Sequence, residues 1–243
     1  MMERRDHHDW ASEAYVEAWI QRQLANDPGR AERFQLMGDL LPFPADAQVT
    51  VLDIGAGYGP VSKFLLDRFP HATCIAQDGS TPMLQHAQQR MTTYGARFRT
   101  HQSDLFAQDW LPPQPEAFEV VVSALCLHNL RDFSRISTLY RDIRARLKPG
   151  GMFLNLDLVN APTLGLQQHY GRVTEARRSR DVPSDHRSTA PGHQELQTPP
   201  QSAAHAFPAD LSEHLAALRA AGFLEVDCFW KDLRQALYGG YVG

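Results

Sequence analysis

Apolar residues recur at helical spacing near the start of the chain and in short continuous runs further on. Residues 10–26 carry Trp10, Val16 and Ile20 in a pattern typical of a helix. Residues 30–41 repeat this pattern, and the proline that follows ends the second predicted helix. From residue 49 onwards, apolar runs of strand length alternate with amphipathic segments of helix length. This alternation predicts an α/β fold, because strand–helix–strand units place successive strands in parallel.

The predicted strands are 49–54, 72–76, 97–101, 118–124, 152–158, 223–230 and 233–242, and the helices between them are 61–69, 81–94, 133–147, 160–176 and 211–221. We therefore expect a Rossmann-like, doubly wound, seven-stranded and mainly parallel sheet. Residues 1–45 are expected to form an N-terminal helical cap, and residues 46–243 the main domain. The stretch 177–208 is polar and nearly lacks large apolar side chains, which favours a long insertion.

Composition limits the classes of partner that this fold is expected to serve. The 243 residues carry a formal net charge of −4, which makes a nucleic acid an unfavoured partner. There is no apolar run of about 18 residues, so no membrane partner is expected. The three cysteines are far apart and lack metal-ligand spacing, so we expect no metal and a cytoplasmic protein, either a monomer or a homodimer.

The most informative motif follows the first predicted strand, where Gly55, Gly57 and Gly59 punctuate a turn that leads into a helix. Glycines let the backbone turn tightly and let a ligand approach it closely. Ligands of open parallel sheets bind beyond the carboxyl ends of the strands, near the switch in strand order. Pro60 occupies the last position of a dinucleotide fingerprint, and no Walker lysine follows, which disfavours NAD and nucleoside triphosphates.

Two acidic residues stand at the ends of the next two predicted strands. Asp78 can accept hydrogen bonds from both hydroxyls of a ribose, and Asp104 can accept one from the exocyclic amine of adenine. Together with the glycine turn, they predict a site for an adenosine-containing cofactor.

These motifs resemble those of the class I S-adenosylmethionine-dependent methyltransferases over about residues 49–158. The resemblance also includes 123–130 after the fourth strand and 147–151 before the fifth. It implies S-adenosyl-L-methionine as the cofactor. A small molecule is the expected methyl acceptor, because the low net charge argues against RNA. The residues that it implies for cofactor binding are Asp53, Gly55, Ala56, Gly57, Gly59, Asp78, Gly79, Met83, Ser103, Asp104, Leu105, Ser123 and Ala124.

The resemblance also implies a role for each part of this set. The 55–59 backbone would hold the methionine part, which Ser123 and Ala124 would face, while Asp53 would order the loop and reach the amino group. Asp78 would hold the ribose, and 104–105 the adenine edge. Met83 would cover the adenine face, although ordinary helix packing is an alternative for this side chain.

The acceptor side is less clearly marked. His128 follows the fourth strand and is a candidate general base, with capping or pocket lining as the alternative. The N-terminal aromatic residues either cover the pocket or pack their helix onto the sheet. The residues expected around the acceptor are Tyr15, Trp19, His128, Asn129, His169, Tyr170, Trp230 and Arg234.

Two other functions stay open on the sequence alone. The aromatic and glycine-containing segment 228–241 is loosely similar to the end of carboxy-S-adenosylmethionine synthase-like proteins, so an RNA-modifying or carboxy-S-adenosylmethionine-forming relative is one alternative. The other is a non-catalytic module that binds the cofactor as a signal.

Overall fold

The structure is a computed structural model that describes residues 9–25, 29–181 and 207–243. Seven strands form one sheet in the order β3-β2-β1-β4-β5-β7-β6. All pairs from β3 to β5 are parallel, and β7 is antiparallel to both β5 and β6. The strands are β1 Thr50–Ile54, β2 Thr73–Asp78, β3 Phe98–Gln102, β4 Phe118–Ala124, β5 Leu147–Leu158, β6 Leu224–Asp232 and β7 Gln235–Tyr241.

Seven α-helices accompany these strands in the described residues: α1 Glu13–Ala25, α2 Arg30–Leu40, α3 Pro60–Arg68, α4 Thr81–Arg90, α5 Phe133–Arg146, α6 Leu164–Asp181 and α7 Leu211–Ala220. Helices α2, α3 and α4 pack on one face of the sheet, and α5 and α7 pack on the other. Successive residues of β1 enter the two cores alternately, with Val51 in one and Leu52 in the other. The predicted doubly wound, mainly parallel fold is confirmed.

Several element boundaries differ from the predicted ones. Helix α4 ends at Arg90 rather than at residue 94, and a 3₁₀ segment over Thr92–Arg97 follows, which Gly95 interrupts with a positive φ of 55°. Strand β5 begins at Leu147 rather than at residue 152.

Helix α6 reaches into the predicted polar insertion. Residues 177–181 are helical, and the exposed ion pair between Arg177 and Asp232 joins this end of the helix to β6. A polar composition was therefore not sufficient evidence for a loop at these positions. Residues 182–206 of the predicted insertion lie outside the described part of the chain.

The switch in strand order indicates where the candidate site lies. Strand β1 lies between β2 and β4, so the chain crosses the sheet from β3 to β4 beside the carboxyl end of β1. The glycine turn lies at this edge, and Gly59 with a left-handed φ of 78° precedes helix α3, whose first residue is Pro60. No helix of the described residues is long and apolar enough to cross a membrane.

Candidate active site

The turn after β1 has a backbone conformation that requires glycine. Gly55, Gly57 and Gly59 have φ values of 62°, 55° and 78°, in the left-handed region that side chains disfavour. A Cβ atom on Gly55 would also stand 2.0 Å from the Sγ atom of Cys126. The turn therefore presents bare backbone at the carboxyl edge of the sheet, as a cofactor cradle requires.

Side chains at the end of β2 hold this turn in place. The amide of Gly57 donates to Oδ2 of Asp78 at 2.8 Å, and the amide of Gly55 donates to Oε1 of Gln77 at 3.1 Å. The other end of the buried Gln77 side chain donates to the carbonyl and hydroxyl oxygens of Ser103, at 2.8 and 3.1 Å. Gln77 thus joins the exits of β1, β2 and β3. Sequence reasoning missed it, although a polar residue inside an apolar strand run was a signal.

Asp53 is buried beneath the turn, and its carboxylate has one unused oxygen. Oδ2 accepts hydrogen bonds from the amide and the hydroxyl of Ser62, in the first turn of α3, at 3.0 and 2.7 Å. Oδ1 is buried and has no hydrogen-bond partner among the described residues. Burial raises the pKa of Asp53 from 3.8 to about 7 against the opposing hydrogen bonds from Ser62. A buried acceptor without a partner fits the ammonium group of a bound ligand.

Asp78 retains hydrogen-bonding capacity beside a cavity. Its Oδ1 accepts from the amide of Ser80 at 2.8 Å, and burial raises its pKa despite the backbone donors around it. A carboxylate has about four lone-pair sites, so both oxygens can still accept hydroxyl groups. The adjacent cavity of about 400 Å³ is lined by Trp10, Ala11, Gly79, Ser80, Thr81, Pro82 and Gln102. This position fits the predicted ribose site.

The residues predicted to bind the adenine differ in exposure and in packing. Asp104 is exposed, and its Oδ1 accepts from the amide of Phe106 at 2.9 Å, whereas Leu105 is buried. Met83 packs in a small apolar cluster with Val16 and Ile20 of α1, in addition to standing beside Gly57. Met83 therefore contributes to helix packing, which was the alternative considered for it.

Ser123 and Cys126 mark the exit of β4. The buried hydroxyl of Ser123 donates to the carbonyl of Ile54 at 3.0 Å and so joins β4 to β1, while Ala124 is half-buried next to it. Burial raises the pKa of Cys126 well above its usual value, reinforced by the nearby carboxylates. The thiol therefore stays protonated near neutral pH, which argues against a nucleophilic role.

His128 forms a two-point contact with a carboxylate that sequence reasoning missed. Its Nδ1 lies 2.5 Å from Oδ1 of Asp157, near the end of β5, and its amide donates to Oδ2 of the same residue at 3.0 Å. Because a carboxylate only accepts hydrogen bonds, Nδ1 carries the proton and Nε2 is left as the basic nitrogen. Asp157 is 2% exposed and His128 15% exposed, so the pair is desolvated yet reachable. The signal for Asp157 was an acidic residue in a mostly apolar strand.

The other residues predicted around the acceptor do not form a single pocket. Tyr15 and Trp19 surround Trp10 with ring centroids 5.4 Å away, and Trp19 also contacts Tyr58 of the glycine turn at 6.3 Å. These aromatic rings thus pack α1 against the turn.

The remaining candidates around the acceptor lie in different parts of the structure. Trp230 contacts Arg33 of α2, Tyr170 contacts Lys231, and Asn129 and His169 are exposed. Arg234 is the one that approaches His128, since both side chains contact the ring of Phe207.

The sequence profile of a known family, described as a methyltransferase domain, matches residues 51–151. This segment contains the glycine turn and β1, β2, β3 and β4, which form the site described above. This segment of the chain is therefore similar to a methyltransferase domain. The match agrees with the resemblance that the motifs predicted.

Curated relatives are similar in sequence to part of this chain. The malonyl-[acyl-carrier protein] O-methyltransferase of Xylella fastidiosa is 29% identical over 152 residues, which are 60% of this chain and 43% of that protein. The trans-aconitate 2-methyltransferase of Azoarcus sp. is 31% identical over 50% of this chain and 44% of its own length. This chain thus spans less than half the length of these two relatives.

Two solved structures share the fold at low sequence identity. An O-methyltransferase family protein from Burkholderia thailandensis has a TM-score of 0.64 at 20% identity, over 96% of this chain and 61% of that chain. Human N-acetylserotonin methyltransferase, solved in complex with S-adenosylmethionine, has a TM-score of 0.59 at 20% identity, over 96% of this chain and 58% of its own. At this level of identity they support the fold alone.

Proposed function

We propose that this chain is an S-adenosylmethionine-dependent methyltransferase that acts on a small molecule. The observation that carries the proposal is the cradle of three left-handed glycines above the unpartnered Oδ1 of Asp53. The backbone of 55–59 would hold the methionine part, Asp53 its ammonium group and Asp78 the ribose. When bound, S-adenosylmethionine supplies a methyl group that its sulfonium has already activated for transfer.

Because the donor is activated, the protein contributes mainly by alignment and by exclusion of water. The amides of the turn donate fixed hydrogen bonds to the side chains of Gln77 and Asp78, so little reorganisation is needed when a ligand binds. The aromatic group of Trp10, Trp19 and Tyr58 covers the turn from the side of α1. These features support a dry and rigid cradle.

Proton removal from the acceptor is the step that requires a side chain. His128 is the candidate base, because Asp157 fixes its tautomer and leaves Nε2 free to take a proton. The same carboxylate stabilises the imidazolium that forms when His128 accepts the proton. This arrangement supports an acceptor whose nucleophilic atom carries a hydrogen, such as a hydroxyl group.

Charge and relatives support a small molecule over RNA. The chain has a net charge of −4, whereas RNA-modifying proteins bind through a basic surface. Two relatives methylate trans-aconitate and a malonyl group carried by an acyl-carrier protein, neither of which is a nucleic acid.

Transfer of a labelled methyl group tests the proposal. The purified chain is incubated with methyl-tritiated S-adenosylmethionine and, separately, with the small-molecule and the RNA fractions of a cell extract. We expect label in the small-molecule fraction. Label confined to RNA would support the RNA-modifying alternative, and binding of S-adenosylhomocysteine without any transfer would support the non-catalytic module.

A further inference from the structure

A guanidinium group lies close to the candidate base. Arg234 directly precedes β7, and its carbonyl accepts a hydrogen bond from the amide of Val159 at 2.8 Å, which places it just beyond the end of β5. Its Cζ atom lies 4.2 Å from the centroid of the Phe207 ring. The imidazole of His128 packs edge-on against the same ring, with centroids 5.5 Å apart. The base and the cation therefore share one aromatic wall.

This wall is built into the fold. The buried Asn160 side chain binds the backbone of Phe207 at two points, with its amide donating to the carbonyl at 2.7 Å and its oxygen accepting from the amide at 3.0 Å. The backbone of Phe207 is consequently anchored beside the end of β5. The position of Arg234 is fixed in turn by stacking on the ring of Phe207 and by its backbone bond to β5.

The charge of Arg234 is not compensated within the described part of the chain. Its Nε atom is buried without a hydrogen-bond partner, and no carboxylate of the described residues offsets its charge. Burial lowers the pKa of the guanidinium, with no neighbouring carboxylate to offset it, yet an arginine stays charged at neutral pH. A partly buried cation without an anion is destabilising on its own, so a bound anion would be favoured there.

The carboxylates at this edge of the sheet affect how an anionic acceptor could bind. Three carboxylates lie at the same edge of the sheet: Asp53, Asp78 and Asp157. Each of them raises the pKa of Cys126. An anionic acceptor would be repelled by this edge unless a cation offset the repulsion. Arg234 supplies that cation next to His128.

We propose that Arg234 is the anion-binding residue of the acceptor site, and that the acceptor is a small organic acid. The carboxylate or phosphate of the acceptor would receive hydrogen bonds from the guanidinium, while a hydroxyl elsewhere on it faces His128. An arginine fork matches the two oxygens of a carboxylate. This inference rests on the proposed methyltransferase function and adds the chemical class of its substrate.

Binding of a simple anion tests the inference without knowledge of the natural acceptor. Benzoate and its neutral counterpart benzyl alcohol are titrated into the full chain, with and without saturating S-adenosylhomocysteine, and followed by calorimetry. We expect benzoate to bind, and Arg234→Met to weaken that binding by about tenfold or more, the loss typical of a charge-assisted hydrogen bond. Benzyl alcohol should bind the wild type and the variant alike.

Arg177→Met is the matched control, because Arg177 is exposed and already paired with Asp232 near the same edge. It should leave benzoate binding unchanged. Circular dichroism of each sample reports whether the Arg234→Met protein is folded, and its S-adenosylhomocysteine affinity should be unchanged. Equal benzoate affinity in the wild type and Arg234→Met, or no benzoate binding at all, would overturn the inference.

Two further results separate the inference from the proposed function. An equal loss of affinity for S-adenosylhomocysteine in Arg234→Met would also overturn the inference, by assigning Arg234 to the cofactor carboxylate. If the wild type bound no S-adenosylhomocysteine, the proposed function would fail instead, and the benzoate result on the free chain would still decide whether Arg234 binds anions.

Discussion

Replacing Asp53 by asparagine should stabilise the free protein while weakening its affinity for the cofactor. The substitution keeps an oxygen that can accept both hydrogen bonds from Ser62 and exchanges the unpartnered Oδ1 for an equally unpartnered amide. Size and contacts are therefore conserved, and the negative charge is the main change.

The magnitude follows from the pKa of Asp53, which burial raises from 3.8 to about 7. A group with a raised pKa in the folded state loses stability as the pH rises from its unfolded to its folded pKa. Each pKa unit corresponds to about 1.4 kcal/mol. The wild type should thus lose up to about 4 kcal/mol of unfolding free energy between pH 4 and pH 8 through this residue, and the asparagine variant should not.

Urea unfolding of the wild type and of Asp53→Asn at pH 5 and pH 8 measures this difference. We expect the variant to be more stable at both values, by about 2 kcal/mol at pH 5 and about 4 kcal/mol at pH 8. Asp46→Asn is the control, because Asp46 is exposed and should show no such difference. A variant that is less stable than the wild type at pH 8 would refute the reasoning.

Three further substitutions test other parts of the site. Gly55→Ala should destabilise the fold by at least about 2 kcal/mol in thermal unfolding, because of its positive φ and its contact with Cys126; unchanged stability would contradict the described turn. Asp78→Ala should weaken S-adenosylhomocysteine binding by about 1–3 kcal/mol in calorimetry, and an unchanged dissociation constant would remove it from the ribose role. His128→Ala should lower turnover on the order of 10²–10⁴-fold with cofactor affinity nearly constant. Asp157→Asn should lower turnover as well. Full activity of His128→Ala across the pH range would exclude His128 as the base.

The fold was predictable because its sequence signals are local. Continuous apolar runs such as Val120–Val122 predict strands buried on both faces, and the glycines of the β1 turn mark a backbone that other residues cannot adopt. Boundaries were less accurate where tertiary contacts extend an element, as at the end of α6, where Arg177 pairs with Asp232.

The side-chain partners within the site were harder to predict. The contact between His128 and Asp157 joins the segment that follows β4 to the end of β5, and only their placement at one edge of the sheet brings them together. Trp230 was expected near the acceptor, but its side chain contacts Arg33 on the α2 side of the sheet. Spacing along the chain identifies which strand ends meet, whereas the face to which each side chain turns depends on register and on local bulges such as the one near Trp230.

A calorimetric titration of the purified chain with S-adenosylhomocysteine and with NAD tests the central claim most directly. The cradle at 55–59, the unpartnered oxygen of Asp53 and the position of Asp78 predict saturable binding of S-adenosylhomocysteine, with Asp53→Asn and Asp78→Ala both weaker. They predict no measurable binding of NAD. Affinity for NAD equal to or above that for S-adenosylhomocysteine would contradict the assignment of this site to S-adenosylmethionine.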